Sequence, residues 1–274
     1  MKNEIKDQNN ENLNFPKNAE VMSNLLGGCD IVGVKIFRDS CTITGAREPD
    51  ERLTWCQAVQ RARKNKEIPI INKNTIDCPG AAIALGLVDP LSKEKIGVKQ
   101  YKGDEEGSPY DFSMGYVYAC AASGHPEYHL FGKETDSGRY KTLEAAKKAI
   151  SGMPQLQPGT SCIVPYPSSL RIDPDIVLAI LNSKQAMRLI QSYAWATGNR
   201  FHNSTIGIRG VCADSVAYPL LNNTLNVTFF CLGARVLGKF SAEESLAAFP
   251  YTIMHKLNKS LEESDTGFPL DLMP

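Results

Sequence analysis

Two stretches of this chain repeat one pattern, and each carries a pair of cysteines. Cys56-Gln-Ala-Val is followed 22 residues later by Cys78-Pro-Gly-Ala-Ala-Ile-Ala-Leu-Gly. Cys212-Ala-Asp-Ser is followed 19 residues later by Cys231-Leu-Gly-Ala-Arg-Val-Leu-Gly. The shared element is Cys-x-Gly-Ala, two or three further residues, then Leu-Gly. A duplication that supplies two thiols per copy sets four cysteines around a pseudo-twofold axis, so the fold must bring Cys56 and Cys78 to Cys212 and Cys231. Four convergent thiolates suit an iron–sulfur cluster or a structural zinc ion. The plainer reading is that buried cysteine is a small apolar residue and that such thiols are inert.

The surroundings of these cysteines decide between metals. No Cys-x-x-Cys occurs anywhere, so the close pairs of zinc ribbons and bacterial ferredoxin loops are missing. A site built from Cys56, Cys78, Cys212 and Cys231 must be assembled by the tertiary fold, which favours a [4Fe–4S] cluster over zinc. With three of the four bound, an open iron would act on substrate as a Lewis acid. Gly80 and Gly233 follow two of these cysteines, and small residues there let backbone N–H groups approach cluster sulfides. The same glycines also fit plain tight turns. Two basic residues in apolar surroundings, Lys35 and Arg235, are the candidate catalytic groups for an anionic substrate; the alternative for Arg235 is a structural salt bridge, and Lys35 either snorkels or faces a pocket. Cys120 with His125 and His129 is a much weaker zinc candidate.

Composition removes several function classes. The chain has 274 residues, 42% hydrophobic and 22% charged, enough for one large core. Thirty basic residues balance thirty acidic ones, so no field favours nucleic acid. The longest apolar runs, such as Ile176–Leu181, are about a third of the roughly 20 residues a bilayer needs, which argues against a membrane role. Met1–Asn14 is polar and has no apolar h-region, so it is not read as a secretory signal. The expected location is cytoplasmic, where thiols stay reduced. No GxGxxG, GxxxxGK[ST], GxSxG or HExxH motif is present, which speaks against an ordinary nucleotide cofactor.

Strand-like and helix-like segments alternate, giving an α/β or α+β class: one compact unit of two pseudo-repeated halves at 18–135 and 160–250, after a polar tail over 1–17. Strands are expected at Asp30–Phe37, 68–71 and the segment into Cys78, 114–121 and 160–167; 175–181 is a near-continuous apolar run, and 206–211 and 225–230 lead into Cys212 and Cys231. Helices are expected over 18–26, from Pro49 to Lys66, over 142–151 behind a Thr142 cap, and from a Ser183 cap to Thr197. Ser241-Ala-Glu-Glu reads as a capping box that opens the last helical region. Residues 88–112 are polar and long enough for a lid.

From about Leu25 to Leu261 the chain resembles the uncharacterised ArCR family, domain of unknown function 169. The residues that carry the resemblance are Gly33-Val-Lys-Ile, the Cys56-x-Ala-x3-Ala helix, Cys78-x-Gly-Ala with Leu85-Gly86, and Pro174-Asp175. They continue with Gln185-Ala-Met-Arg188, Gly210-x-Cys212, Cys231-x-Gly-x-Arg235 and a Glu-rich helix before Pro250. The resemblance implies the fold unit, the cysteine set and an anaerobic setting, and names no activity. The functional expectation is an oxygen-sensitive iron–sulfur enzyme, an oxidoreductase or lyase, acting on a small anionic substrate. The alternatives are a ligand-binding or electron- and cluster-carrying protein with a redox partner, and a structural domain with core cysteines.

Overall fold

The computed structural model describes residues 14–89 and 140–265, with the backbone of four two-residue strands between them. The expected strand over 114–121, the Cys120, His125 and His129 side chains and most of 88–112 lie outside the described residues, as does the tail before Asn14.

The class is α+β. Strands β1 (Asp30–Phe37), β2 (Cys162–Pro167), β3 (Ile176–Leu181), β4 (Asn226–Thr228) and β5 (Ser245–Pro250) form one sheet in the order β2-β1-β3-β5-β4. Every pairing is antiparallel. The helices are α1 (Phe15–Leu25), α2 (Trp55–Gln60), α3 (Pro79–Ala84), α4 (Leu143–Ser151), α5 (Ser183–Ala194), α6 (Tyr218–Asn222), α7 (Leu232–Val236) and α8 (Met254–Glu263). A π-helical turn over Arg61–Asn65 extends α2, and another over Ala213–Ala217 runs into α6.

The sheet is covered on both faces, which is why β2, β3 and β5 read as unbroken apolar runs although the sheet is antiparallel. Val32, Val34, Ile163, Leu178 and Leu246 point into one core, packed under α2, α3 and the turn that leads to α6. Val164, Tyr166, Val177, Ala179 and Phe249 point into the other, packed under α1, α5 and α8. Four of the five strands come from residues beyond 160, with β1 inserted between β2 and β3.

Helix starts follow capping chemistry more closely than the sequence reading had them. α1 begins at Phe15, three residues earlier than expected, because the Asn14 side chain accepts from the Lys17 N–H and Pro16 suits the first turn. The second helix starts at Trp55 and not at Pro49, because Thr54 and Gln57 form a reciprocal capping box. Asn182, not Ser183, caps α5, in a box with Gln185. Thr142 does cap α4, accepting from the Ala145 N–H at 3.1 Å. The box expected at Ser241 is a turn instead: Glu244 accepts from the Ser241 N–H at 2.8 Å, and the next residue opens β5. No helix lies between Ser241 and Pro250, and α8 starts at Met254. The expected strand over 68–71 is reduced to isolated bridges, Arg47 with Pro69 and Ile71 with Ile163.

Two residues of Gln185-Ala-Met-Arg188 lock α5 in place. Gln185 Nε2 donates to the carbonyls of Leu26 and Gly28 at 3.0 and 2.6 Å. Arg188, fully buried, donates to the Leu261 carbonyl and Ser264 Oγ at 2.5 and 2.7 Å, tying α5 to the end of α8. Gly33 is a third fixed point. A Cβ there would lie 2.6 Å from Tyr166 Cε2 and 2.8 Å from Phe15 Cε1. Gly33→Ala is therefore expected to destabilise by about 1–3 kcal/mol through overpacking, read as a lower urea midpoint at unchanged slope.

Candidate thiol centre

Each of the four repeat cysteines opens a helical segment on the same face of the sheet. Cys78 is the N-cap of α3, Cys231 of α7 and Cys212 of the π-helical turn before α6, while Cys56 is the second residue of α2. Cys212 is buried, and the other three are partly buried against the same apolar cluster.

A chain of close contacts ties these segments together. The Leu53 N–H donates to Thr75 O at 2.9 Å and the Asp77 N–H to Leu53 O at 2.8 Å, which lays the approach to Cys78 beside the approach to Cys56. Trp55 Nε1–H donates to Val211 O at 2.8 Å, joining the Cys56 and Cys212 segments. Gly210 meets Phe230 backbone to backbone: a Cβ on it would sit 2.8 Å from the Phe230 carbonyl. That approach brings the Cys212 and Cys231 segments into contact. Arg209 and Phe230, on its two sides, both have left-handed backbones, with φ of 54° and 67°. Such strain in non-glycine residues persists only where the surroundings enforce it. Ser215 Oγ and Thr228 Oγ1 both donate to Gly210 O, at 2.5 and 3.3 Å. Gly238 closes the ring, since its Cβ would stand 2.9 Å from that of Cys56.

The thiols consequently feel one another. Cys56 hydrogen-bonds to Cys231, and that bond, with burial and the nearby Cys231, Cys212 and Cys78, holds its thiol far above the usual range. Burial, reinforced by Cys78 and Cys231, does the same to Cys212. Burial pushes Cys78 up to about 11, against an opposing hydrogen bond with the Ala81 backbone. All three are neutral thiols at pH 7. Arg209, 5% exposed, is the cation whose charge reaches the group, drawing down Cys78 and Cys212. Asp214 is 2% exposed, and its Oδ2 accepts no hydrogen bond among the described residues. As the side chains stand, no group of three or more His, Cys, Asp or Glu among the described residues is spaced to hold a metal ion.

The other expected site residues sit as follows. Lys35 Nζ pairs with Asp175 Oδ1 at 2.8 Å, and Asp175 Oδ2 accepts from the Ile36 N–H at 2.7 Å, so the pair fastens β1 to the approach to β3. Arg235 donates to the carbonyls of Phe229, Ser241 and Glu244 and lies 4.7 Å over the Phe230 ring. Gly80 is buried in α3. A Cβ on Gly233 would meet open space, so nothing approaches it closely. The sequence reading missed Arg209 and Asp214, and it quoted Gly210 and Gly238 in motifs without their close approaches to Phe230 and Cys56. An arginine three residues before a repeated cysteine was the available signal for the first.

The model of the uncharacterised ArCR family, domain of unknown function 169, matches residues 28–260. The chain belongs to this family. An uncharacterised protein of Methanocaldococcus jannaschii is 26% identical over 239 residues, which is 84% of this chain and 86% of that one. No solved structure matches the chain. The span shared with the ArCR family holds all four converging thiols, Arg209 and Asp214. Among the described residues no helix is long and apolar enough to cross a membrane.

Proposed function

We propose that the four thiols are the ligands of a redox metal centre, a [4Fe–4S] cluster in preference to zinc, in a cytoplasmic, oxygen-sensitive protein. The observation that carries this reading is the convergence of Cys56, Cys78, Cys212 and Cys231 from four separate helix starts onto one another in an apolar setting. Burial and mutual repulsion penalise thiolates there, so anionic sulfur persists only against a strong cation, and a metal supplies it. Ligation requires the thiols to give up their protons and turn from one another toward a common centre, and is coupled to the folding that gathers them. Cys78 and Cys231 cap matching short helices, α3 and α7, and stand for the two related halves.

In this reading the protein is an enzyme that reduces a small anionic substrate or eliminates a group from it. Arg209, beside the thiols, is the charge that attracts such a substrate. Lys35 and Arg235, held in the contacts described above, keep structural roles. The group, when bound, would supply electron transfer, or, with only three of the four thiols bound, Lewis-acid activation at the open iron. Purification without oxygen tests the reading. About four iron and four sulfide per chain support it; zinc without sulfide, or a metal-free protein, overturns it.

One observation favours a second reading, an electron carrier. Phe229, Leu232 and Val236 flank Cys231 and are 68%, 49% and 40% exposed, an apolar margin of the kind that docks a redox partner. Small anions that perturb the reduced cluster's electron paramagnetic resonance spectrum would favour the enzyme; an unchanged spectrum with fast electron transfer to a ferredoxin would favour the carrier.

A further inference from the structure

Cys41 and Cys162 stand apart from the four repeat cysteines, on the opposite face of the sheet. Cys162 opens β2, and its register partner is Phe37, the last residue of β1. Cys41 follows four residues later, in a turn clamped back onto β2. The Ser161 N–H donates to Phe37 O at 2.8 Å, and the Ser161 hydroxyl bonds the carbonyls of Phe37 and Asp39. The turn is thereby folded so that the Cys41 and Cys162 side chains hydrogen-bond to each other. Neither is in a disulfide. Access to them is unequal, with Cys162 5% exposed and Cys41 at the partly open rim of the core.

We propose that Cys41 and Cys162 form a modification site, a thiol pair that closes reversibly into a disulfide, with Cys41 meeting the oxidant and Cys162 resolving it. Disulfide formation needs two sulfurs already side by side on a backbone that can bring them to bonding distance, and the clamped turn supplies that proximity. The oxidant is a hydroperoxide. The Cys41 thiol gives its proton to water and the thiolate attacks the O–O bond, which breaks; Cys41 becomes a sulfenic acid, and the departing alkoxide or hydroxide takes that proton back to leave as alcohol or water. Cys162 sulfur then attacks Cys41 sulfur, the S–S bond forms, the S–O bond breaks, and the hydroxide takes the Cys162 proton to leave as water. Two electrons pass from the two sulfurs to the peroxide, and a small dithiol returns both to thiols. Burial pushes the Cys162 thiol up to about 11, which fits it to wait for the activated Cys41 instead of meeting the oxidant first. Cys29 is no competitor, since burial pushes its thiol up to about 12 and Ser23 holds its backbone N–H and carbonyl.

The full chain, purified without oxygen and treated with one equivalent of hydrogen peroxide, tests this. Remaining thiols are blocked with N-ethylmaleimide before digestion and mass spectrometry. The expected result is one dominant linked peptide joining Cys41 to Cys162, lost on dithiothreitol treatment and preserved in Cys29→Ser. In Cys162→Ser the link disappears and Cys41 is trapped as a dimedone adduct. The proposal is overturned if both cysteines are still blocked by maleimide while peroxide is consumed, if the dominant link joins any other pair, or if Cys162→Ser yields no adduct at Cys41. The readout concerns these two thiols alone, so it stands or falls separately from the metal content.

Discussion

Trp55→Ala is expected to cost about 3–5 kcal/mol of folding stability, the range for deleting a large aromatic from a packed core. Trp55 is fully buried, among the largest side chains in the core beneath the thiol centre. Its truncation opens a cavity and also strips the Val211 carbonyl of its donor. Trp55→Phe separates the two effects. It keeps most of the apolar volume and loses the hydrogen bond, so a smaller cost of about 1–3 kcal/mol is expected. Because Trp55 precedes Cys56 and Val211 precedes Cys212, the phenylalanine variant should also loosen the register of two thiol-bearing segments. Urea denaturation of both variants under reductant gives the energies. A cost near zero for the phenylalanine variant would mean that the indole N–H contributes nothing to holding the segments together.

Replacing the thiols themselves has the larger functional effect. On the proposed reading, Cys78→Ser and Cys231→Ser should each take bound iron from about four per chain to near zero and lower the melting temperature, since metal binding is coupled to folding. Cys29→Ser, Cys41→Ser and Cys162→Ser, on the other side of the sheet, should keep their iron. Inductively coupled plasma analysis of iron, with a parallel sulfide assay, reads the difference. Iron loss of the same size in both sets would mean that the ligands were wrongly chosen.

That Cys78 and Cys231 open like segments was legible because Cys-x-Gly-Ala occurs twice, and each of the two caps a short helix. What encloses them was not. Gly238 and Gly210 stand in the quoted motifs, but the close approaches that require them, to Cys56 and to the Phe230 backbone, join separate segments that no local pattern encodes. Lys35 looked misplaced in an apolar strand because its partner, Asp175, lies 140 residues away. The apolar run ending at Leu181 is a strand with every residue buried, because both of its faces are covered. Ser241-Ala-Glu-Glu misled because the same bond that opens a helix also closes a turn, and only the strand that follows tells them apart. At Thr54 the opposite happened: Pro49 and its acidic neighbours drew attention from a true capping box five residues on.

The insertion of β1 between β2 and β3 has a consequence for biosynthesis. The first strand made finds its neighbours only after residue 162, and the thiols of Cys56 and Cys78 find theirs only at residues 212 and 231. The interval from Cys56 to Cys231 is 231 − 56 = 175 residues, or roughly 9–35 s of translation at about 5–20 residues per second. Throughout that time two thiols ride on a nascent chain without their partners, exposed to oxidants and to the wrong metals. On the proposed reading, metal can reach the complete ligand set only after Cys231, and with it most of the chain, has been made.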